Sequence, residues 1–391
     1  EPSSAPPSSS VAGVPLHLLP EDAPSGEVTP ASTGRPGKLG GLDLVAAISA
    51  DDVWAVGGAG TTDLYALHWD GRRWTRTQAP RTPKLDSGWI DDLDGSSARD
   101  VWAVGGTGFD FGRALIEHWD GTRWTIVHGP TIGYPTSGLN DVAVLSPSDA
   151  WAVGWAGPEA LTEHWDGRRW RIVPGAPGPR RAALRAVTPI SPDDVWAVGR
   201  SRSEPLVEHW DGTGWSVVPF PRIADLSFLD LSSVAGVSAS EVWAAGMAAT
   251  DPTLTRPSVN LAIVGRWDGE RWTILARRKG PFSLGATIEA TSPSDLWLLT
   301  GGILATGSIA HWDGTAWRDV RFPRTGPKES LLGVEGIRDV AFVDGREAWA
   351  VGSQELSGDD APLIERWDGS TWVPVPLGEP SPTASVVRRA A

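Results

Sequence analysis

The chain contains no cysteine, which excludes disulfides, thiolate-bound metals and cysteine nucleophiles. Lysine is almost as scarce: only four of the 34 Lys and Arg residues are Lys, against 48 Asp and Glu. The net charge of −14 disfavours a nucleic-acid backbone as partner, because such binding rests on clustered Lys and Arg. No apolar run approaches the roughly 18 residues that a membrane-spanning helix needs. Nor does any stretch keep a helical period for a useful length, so helices cannot be what covers the apolar faces. A Gly-x-Ser-x-Gly elbow, a His-Glu-x-x-His helix and a phosphate-cradling glycine loop are likewise absent.

What the chain has is tryptophan. Twenty-one of 23 fall in one pattern read seven times: an acidic residue, one residue, then Trp, followed later by Trp-Asp-Gly-x-x-Trp. The copies begin at Asp52-Val53-Trp54, Asp100-Val101-Trp102, Asp149-Ala150-Trp151, Asp194-Val195-Trp196, Glu241-Val242-Trp243, Asp295-Leu296-Trp297 and Glu347-Ala348-Trp349. Lead tryptophans lie 48, 49, 45, 47, 54 and 52 residues apart, a period that marks an array of one structural unit.

The third copy shows the unit. Leu139–Leu145, Asp149–Gly154, Leu161–Trp165 and Trp170–Val173 are short β-rich runs separated by Ser-Pro, Gly and Asp-Gly punctuation. They predict four antiparallel strands, A to D, with tight A–B and C–D hairpins. Seven such sheets have only one another to pack against, and a ring does this while leaving short edges. The expected fold is all-β: a seven-bladed β-propeller of four-stranded antiparallel blades over residues 37–378. A Pro/Ser-rich tether precedes it at 1–36, with an apolar clasp at 14–19, and a tail follows at 379–391. Blade 1 supplies its own strand A and blade 7 its own strand D, so no strand is lent across the closure. Each tryptophan can bury about 150–250 Å², and the wedges between blades are the expected destination.

The segment Val104-Gly105-Gly106, then Leu115-Ile116-Glu117-His118-Trp119-Asp120 and Trp124, resembles a kelch-type blade. There a Gly-Gly ends the second strand and aromatics mark the third and fourth. The resemblance runs through all seven repeats, although a full Gly-Gly follows the lead Trp only in the first two and the C–D hairpin is shorter than the kelch norm. No Gly-His precedes the blades as in WD repeats. The pattern is that of a Trp-rich bacterial propeller closest to kelch, and the Arg, Ala, Gly and Pro bias resembles high-GC actinobacterial proteins. Copper radical oxidases of similar fold need a Cys, and sialidases carry Ser-x-Asp-x-Gly-x-x-Trp boxes; this chain has neither. The tether suggests a trimmed, exported precursor, so the expected location is secreted or extracellular.

Five of seven histidines, His68, His118, His164, His209 and His311, share one repeat position that Arg266 and Arg366 fill elsewhere. Equivalent positions on different blades cannot converge on one metal, so a structural network is expected. It would join the histidine to the acidic residue, the lead Trp and the A–B turn serine (Ser49, Ser97, Ser146, Ser191, Ser238 or Ser292). No metal or cofactor is expected.

Function belongs where the repeats differ. The B–C and D–A connections vary and open on one face. They are expected to carry Trp89 and Trp155, the two tryptophans outside the repeat, with Tyr65, Phe109, Phe111, Tyr134, Phe228 and Phe282, beside Arg180, Arg181, Arg200 and Arg202. Such aromatics suit sugar stacking or a protein hot spot. Ten residues before each lead Trp stand Leu44, Asp92, Asp141, Ala186, Ser233, Thr287 and Asp339. That ring of carboxylates and hydroxyls at the innermost strand could hold a cation or polar ligand, or simply face channel water. The ligand-binding set is therefore Trp155, Trp89, Tyr134, Phe109, Phe111, Arg200, Arg202, Asp92, Asp141 and Asp339. The leading functional expectation is a non-catalytic recognition module for a cell-envelope glycan or a protein, serving as a targeting subunit of a larger secreted assembly such as a toxin particle. A scaffold subunit is the alternative, and a polysaccharide lyase or hydrolase comes third.

Overall fold

In the computed structural model the chain divides into two units, Glu1–Gly37 and Lys38–Ala391. The structure describes residues 39–58, 64–80, 88–108, 112–177, 181–224, 226–250, 260–279, 285–302, 305–320, 336–344, 346–356 and 359–377, all in the second unit. The expected tether and clasp, the tail, Phe109, Phe111, Arg180 and Phe282 lie outside these residues.

The second unit is a seven-bladed β-propeller. Its strands form seven four-stranded antiparallel sheets in the order A-B-C-D, and no helix occurs among the described residues. Blade 3 is representative, with strands Ser137–Ser146, Asp149–Ala156, Glu159–Trp165 and Trp170–Ile172. Strand A of each blade packs against strand A of the next, and that of blade 1 (Leu42–Ser49) packs against that of blade 7 (Gly336–Asp344). No strand is lent across the closure, since both blades hold all four of their own strands; side-chain packing, the Arg338–Asp43 ion pair and the Val45 N–H bond to Asp339 join them.

The repeated tryptophans fuse neighbouring blades. Trp54 of blade 1 meets Trp119 and Trp124 of blade 2 at 5.1 and 5.7 Å between ring centroids. Trp349 of blade 7 meets Trp69 and Trp74 of blade 1 at 5.0 and 5.2 Å. Each contact sets an indole edge-on or tilted to its neighbour, the arrangement that the ring quadrupole favours. The lead tryptophans are at most 2 % exposed.

The C–D hairpins follow from their sequence. In blade 1, Asp70 Oδ1 accepts the N–H groups of Arg72 and Arg73, both at 3.0 Å, and Gly71 takes a φ of 84°. That conformation strains any residue with a Cβ, and the same space is filled by the A–B turn: Asp51 lies on Gly71 and Arg99 on Gly121. The Trp69 indole N–H then donates to the Ala50 carbonyl at 3.1 Å. The two hairpins of one face are thus stitched into a rigid, uniform surface.

The inner strand departs from regular pairing. In six blades the register skips one residue of strand A: Asp43, Asp91, Asn140, Arg185, Ser232 and Arg338. Opposite each bulge stands the glycine three residues after the lead Trp; a Cβ on Gly154 or Gly199 would collide with the strand A carbonyl of Gly138 or Ala183. Blade 6 has Thr300 there and pairs without a bulge at that point. Glycine therefore admits the bulge, and a bulge re-aims the side chain it carries.

Candidate functional site

The histidines are structural, as their repeat position implies. Each Nε2 meets the acidic residue of its own blade: His68 with Asp52 at 2.7 Å, His118 with Asp100 at 2.7 Å, His164 with Asp149 at 2.9 Å, His209 with Asp194 at 2.8 Å and His311 with Asp295 at 2.6 Å. The imidazole also stacks on the lead indole, for example Trp102 and His118 at 4.3 Å. Where histidine gives way to arginine the acid lengthens to glutamate: Arg266 pairs with Glu241 and Arg366 with Glu347. The turn serine is not a member. Ser146 Oγ accepts the Ser148 N–H at 3.3 Å within its own turn, while the preceding residue, Ser96 or Thr291, donates to the acid. Asp149→Ala is expected to cost about 1–3 kcal/mol in chemical unfolding, as loss of a buried partner does. The double variant Asp149→Glu, His164→Arg should recover most of it; recovery no better than either single change would sink the paired-unit reading.

The variable face forms where strand B ends and strand A begins. Trp89, Trp155, Tyr65 and Phe228 stand on strands there, not in connecting loops as the sequence suggested. Tyr65 and Phe228 are buried; Tyr65 fills the space above Gly57 and its hydroxyl donates to the Gly40 carbonyl at 2.5 Å. The A–B rung one step inside the outer end of the ladder pairs a large residue with a small one in blades 2 to 4: Trp89 with Gly106, Trp155 with Gly138, Arg200 with Ala183. A Cβ on Gly138 would stand 3.0 Å from the Trp155 indole nitrogen, and one on Gly106 would collide with the Trp89 ring. Each indole thus lies on bare backbone and is half-buried. Blade 5 places Asp230 opposite Met247 on the same rung. Blade 7 has Gly336 with Ser353, and blade 6 Gly285 with Gly301. Met247 is buried, so among the described residues large, half-buried side chains rise on this rung in blades 2 to 4, and the mouth is lopsided.

Polar groups adjoin this arc. The Trp89 indole N–H donates to Asp91 Oδ2 at 2.7 Å, and burial pushes the Asp91 carboxyl up to about 6 although its side chain reaches solvent. Arg185 and Arg200 converge on Asp230 Oδ2 at 3.4 and 3.2 Å, and Arg200 also stacks over Phe228 at 5.7 Å. Tyr134 lies on Gly157, the B–C turn glycine just beyond Trp155. Arg202 is exposed, on the blade 4 turn with a φ of 58°. Of the expected ligand set, then, Trp155 and Tyr134 flank one turn, and Arg200 occupies the Trp155 rung on the next blade. Asp91, Arg185 and Asp230 were missed; the glycine three after each lead Trp, which marks the bulge, was the available signal for the first two.

Asp92, Asp141 and Asp339 do face the channel, but their oxygens clasp the next inner strand. The N–H groups of Val142, Val187 and Val45 donate to them at 2.9, 2.6 and 2.8 Å. Asp94 accepts the Val144 N–H at 2.7 Å in the same manner. Burial raises the carboxyl groups of Asp92 and Asp141, which also hydrogen-bond to each other. Burial likewise lifts Asp94 and Asp339 to about 7 and Glu289 to about 8, reinforced by mutual repulsion across the channel. No group of three or more metal-ligating side chains converges among the described residues.

A second carboxyl set sits between blades. Glu117, Glu163, Glu208 and Glu365 on strands C are at most 2 % exposed. Burial lifts Glu163 to about 8 and Glu208 to about 7. Glu208 Oε2 accepts the Ala176 N–H at 3.4 Å from the incoming D–A segment. Blade 5 has Gly265 at this position, and Phe220 of the incoming segment fills the space.

No protein-family model matches the chain, and no curated protein is significantly similar to it. Among solved structures it is similar to YCF48 bound to D1 peptide, with a TM-score of 0.52 and 14 % identity over 84 % of this chain and 92 % of that one. It is also similar to the WD40 β-propeller domain of Doa1, with a TM-score of 0.52 and 11 % identity over 84 % and 93 % of the two chains. At these identities the likeness is one of fold.

Proposed function

We propose that the chain is a secreted, non-catalytic recognition module that binds a cell-envelope glycan at the channel mouth over blades 2 to 4. One observation carries this reading: three consecutive blades raise a large, half-buried side chain on the rung four residues past the lead Trp, two of them tryptophans laid flat on glycine. An indole held flat and half exposed offers its other face to the apolar side of a pyranose ring. Asp91, Arg185 and Arg200 stand beside it as acceptor and donors for hydroxyl groups, which favours a saccharide over a purely apolar ligand. The channel carboxylates, engaged with N–H groups of the neighbouring blade, fit a structural role better than a catalytic one. In this reading the blades are kelch-like, and the module is the targeting subunit of a larger secreted assembly.

The test is a screen of bacterial surface oligosaccharides by array, followed by calorimetry on the strongest hit. Trp155→Ala is expected to weaken that hit by about tenfold or more, on the order of 1.4 kcal/mol, with a small change in melting temperature. Trp89→Ala should act alike. No binding by the folded chain across the array, together with capture of a stable protein partner that Trp155→Ala releases, would replace the glycan by that partner.

A further inference from the structure

The opposite face, built from the A–B turns and C–D hairpins, carries a charge pattern that glycan recognition does not use. Every hairpin contributes one aspartate, an even ring of seven. The remaining charge is uneven. The turns of blades 1 to 3 expose Arg72, Arg73, Arg99, Arg123, Arg168 and Arg169 against one further carboxylate, Asp51. Those of blades 4 to 7 expose Arg271 and Arg346 with Asp193 and Glu270. With the hairpin aspartates included, and among the residues whose exposure is described, six arginines face four carboxylates on one arc, and two face six on the other. A chain of net charge −14 thus gathers a basic arc on just under half of one rim.

A second asymmetry accompanies the first. The tryptophan that opens the hairpin is buried in blades 1, 2 and 7 as Trp69, Trp119 and Trp367. In blades 3 to 6 it is only half-buried, as Trp165, Trp210, Trp267 and Trp312. The last three of these lie on the acidic arc, which therefore shows most of the indole edges. Guanidinium groups pair with carboxylates through a planar fork and stack on indoles, and Arg and Trp are residue types that concentrate binding energy at interfaces.

We propose that this face joins two copies of the chain about a twofold axis lying across the ring. The arginine arc of each copy then covers the acidic, tryptophan-edged arc of the other. A second copy is the occupant because an isologous interface needs a self-complementary patch, and this rim holds both complements in arcs of similar extent. A free polyanion would match one arc and be repelled by the other. The regular hairpins make the rim level, as stacking requires. The dimer leaves both channel mouths facing outward, so whatever they bind is bound bivalently. The inference does not rest on the identity of that ligand.

Sedimentation equilibrium at tens of micromolar chain tests it. At about 0.05 M salt the mass should be twice 41.5 kDa, and at about 0.5 M salt, where screening is stronger, the dimer should dissociate at least tenfold more readily. Arg168→Glu with Arg169→Glu should give single chains at low salt with an unchanged melting temperature; blade 5 already carries Glu270 at the first of these places. Asp193→Arg with Glu270→Arg should do the same, since blades 2 and 1 carry Arg99 and Arg72 there. An equimolar mixture of the two folded variants should return to double mass, because each supplies the charge that the other lost. Single chains for the unaltered protein at low salt, a persistent dimer in either variant, or a mixture that stays monomeric would overturn the proposal.

Discussion

Trp151→Ala is expected to remove about 3–5 kcal/mol of unfolding free energy, the range for truncating a fully buried aromatic. Its indole is 1 % exposed, lies 5.4 and 5.3 Å from Trp210 and Trp215 of blade 4, and stacks on His164 at 4.4 Å. The change leaves a cavity between two blades and strips the support from the His164–Asp149 pair. The denaturation midpoint should fall accordingly, and far less for Trp155→Ala, whose ring is half-buried. A loss below about 1 kcal/mol for Trp151 would mean that the blade interfaces do not depend on the interlocked indoles.

Stability should also fall as pH rises from about 5 to 8. Glu163 is fully buried, and neither carboxyl oxygen has a hydrogen-bond partner among the described residues. Its carboxyl titrates at about 8, against 4.5 in the unfolded chain. Between those values the unfolded state binds fewer protons than the native state, so unfolding gains as pH rises. Below 4.5 both states are protonated, above 8 both are ionised, and the dependence flattens. A shift of this size corresponds to on the order of 5 kcal/mol for one buried group. Glu208, Glu289, Asp94 and Asp339, raised to between about 7 and 8, act with the same sign. The hairpin aspartates Asp120, Asp211, Asp313 and Asp368 act with the opposite sign: hydrogen bonds hold them at about 2, so their contribution disappears only in stronger acid. The melting temperature should therefore peak near pH 5. Glu163→Gln should flatten the decline and raise the melting temperature at pH 8 above that of the unaltered chain. An equal melting temperature at pH 5 and 8, or a Glu163→Gln variant whose decline is as steep as before, would show that the buried carboxyl groups are solvated in a way their surroundings do not suggest.

The blades were legible because each device that makes them is local. Asp70 caps its hairpin two and three residues away, and the period of the lead tryptophans counts the blades without reference to contacts. The His–Asp pairs were legible too, through the joint exchange of His and Asp for Arg and Glu in blades 5 and 7. The serine was misplaced in that network because its distance from the acid in sequence does not reveal which turn hydroxyl points inward. The mouth was less accessible. Ten residues before the lead Trp stand Asp92, Asp141 and Asp339, which clasp the next blade, whereas the bulge places a further polar residue, one position earlier, along the same wall.

By itself the sequence determined the all-β class, the number of blades, the four strands in each and the burial of the repeated tryptophans. These follow from periodicity, turn chemistry and the burial of apolar surface, all of which act within one repeat. The tertiary structure alone decided where the carboxyl groups of different blades meet across the channel, which indole lies on which glycine, and how the rim charges divide into two arcs. The first and last of these relations join different blades through the closure of the ring, and the second depends on a bulge that shifts the register between strands A and B, so no short-range pattern encodes them.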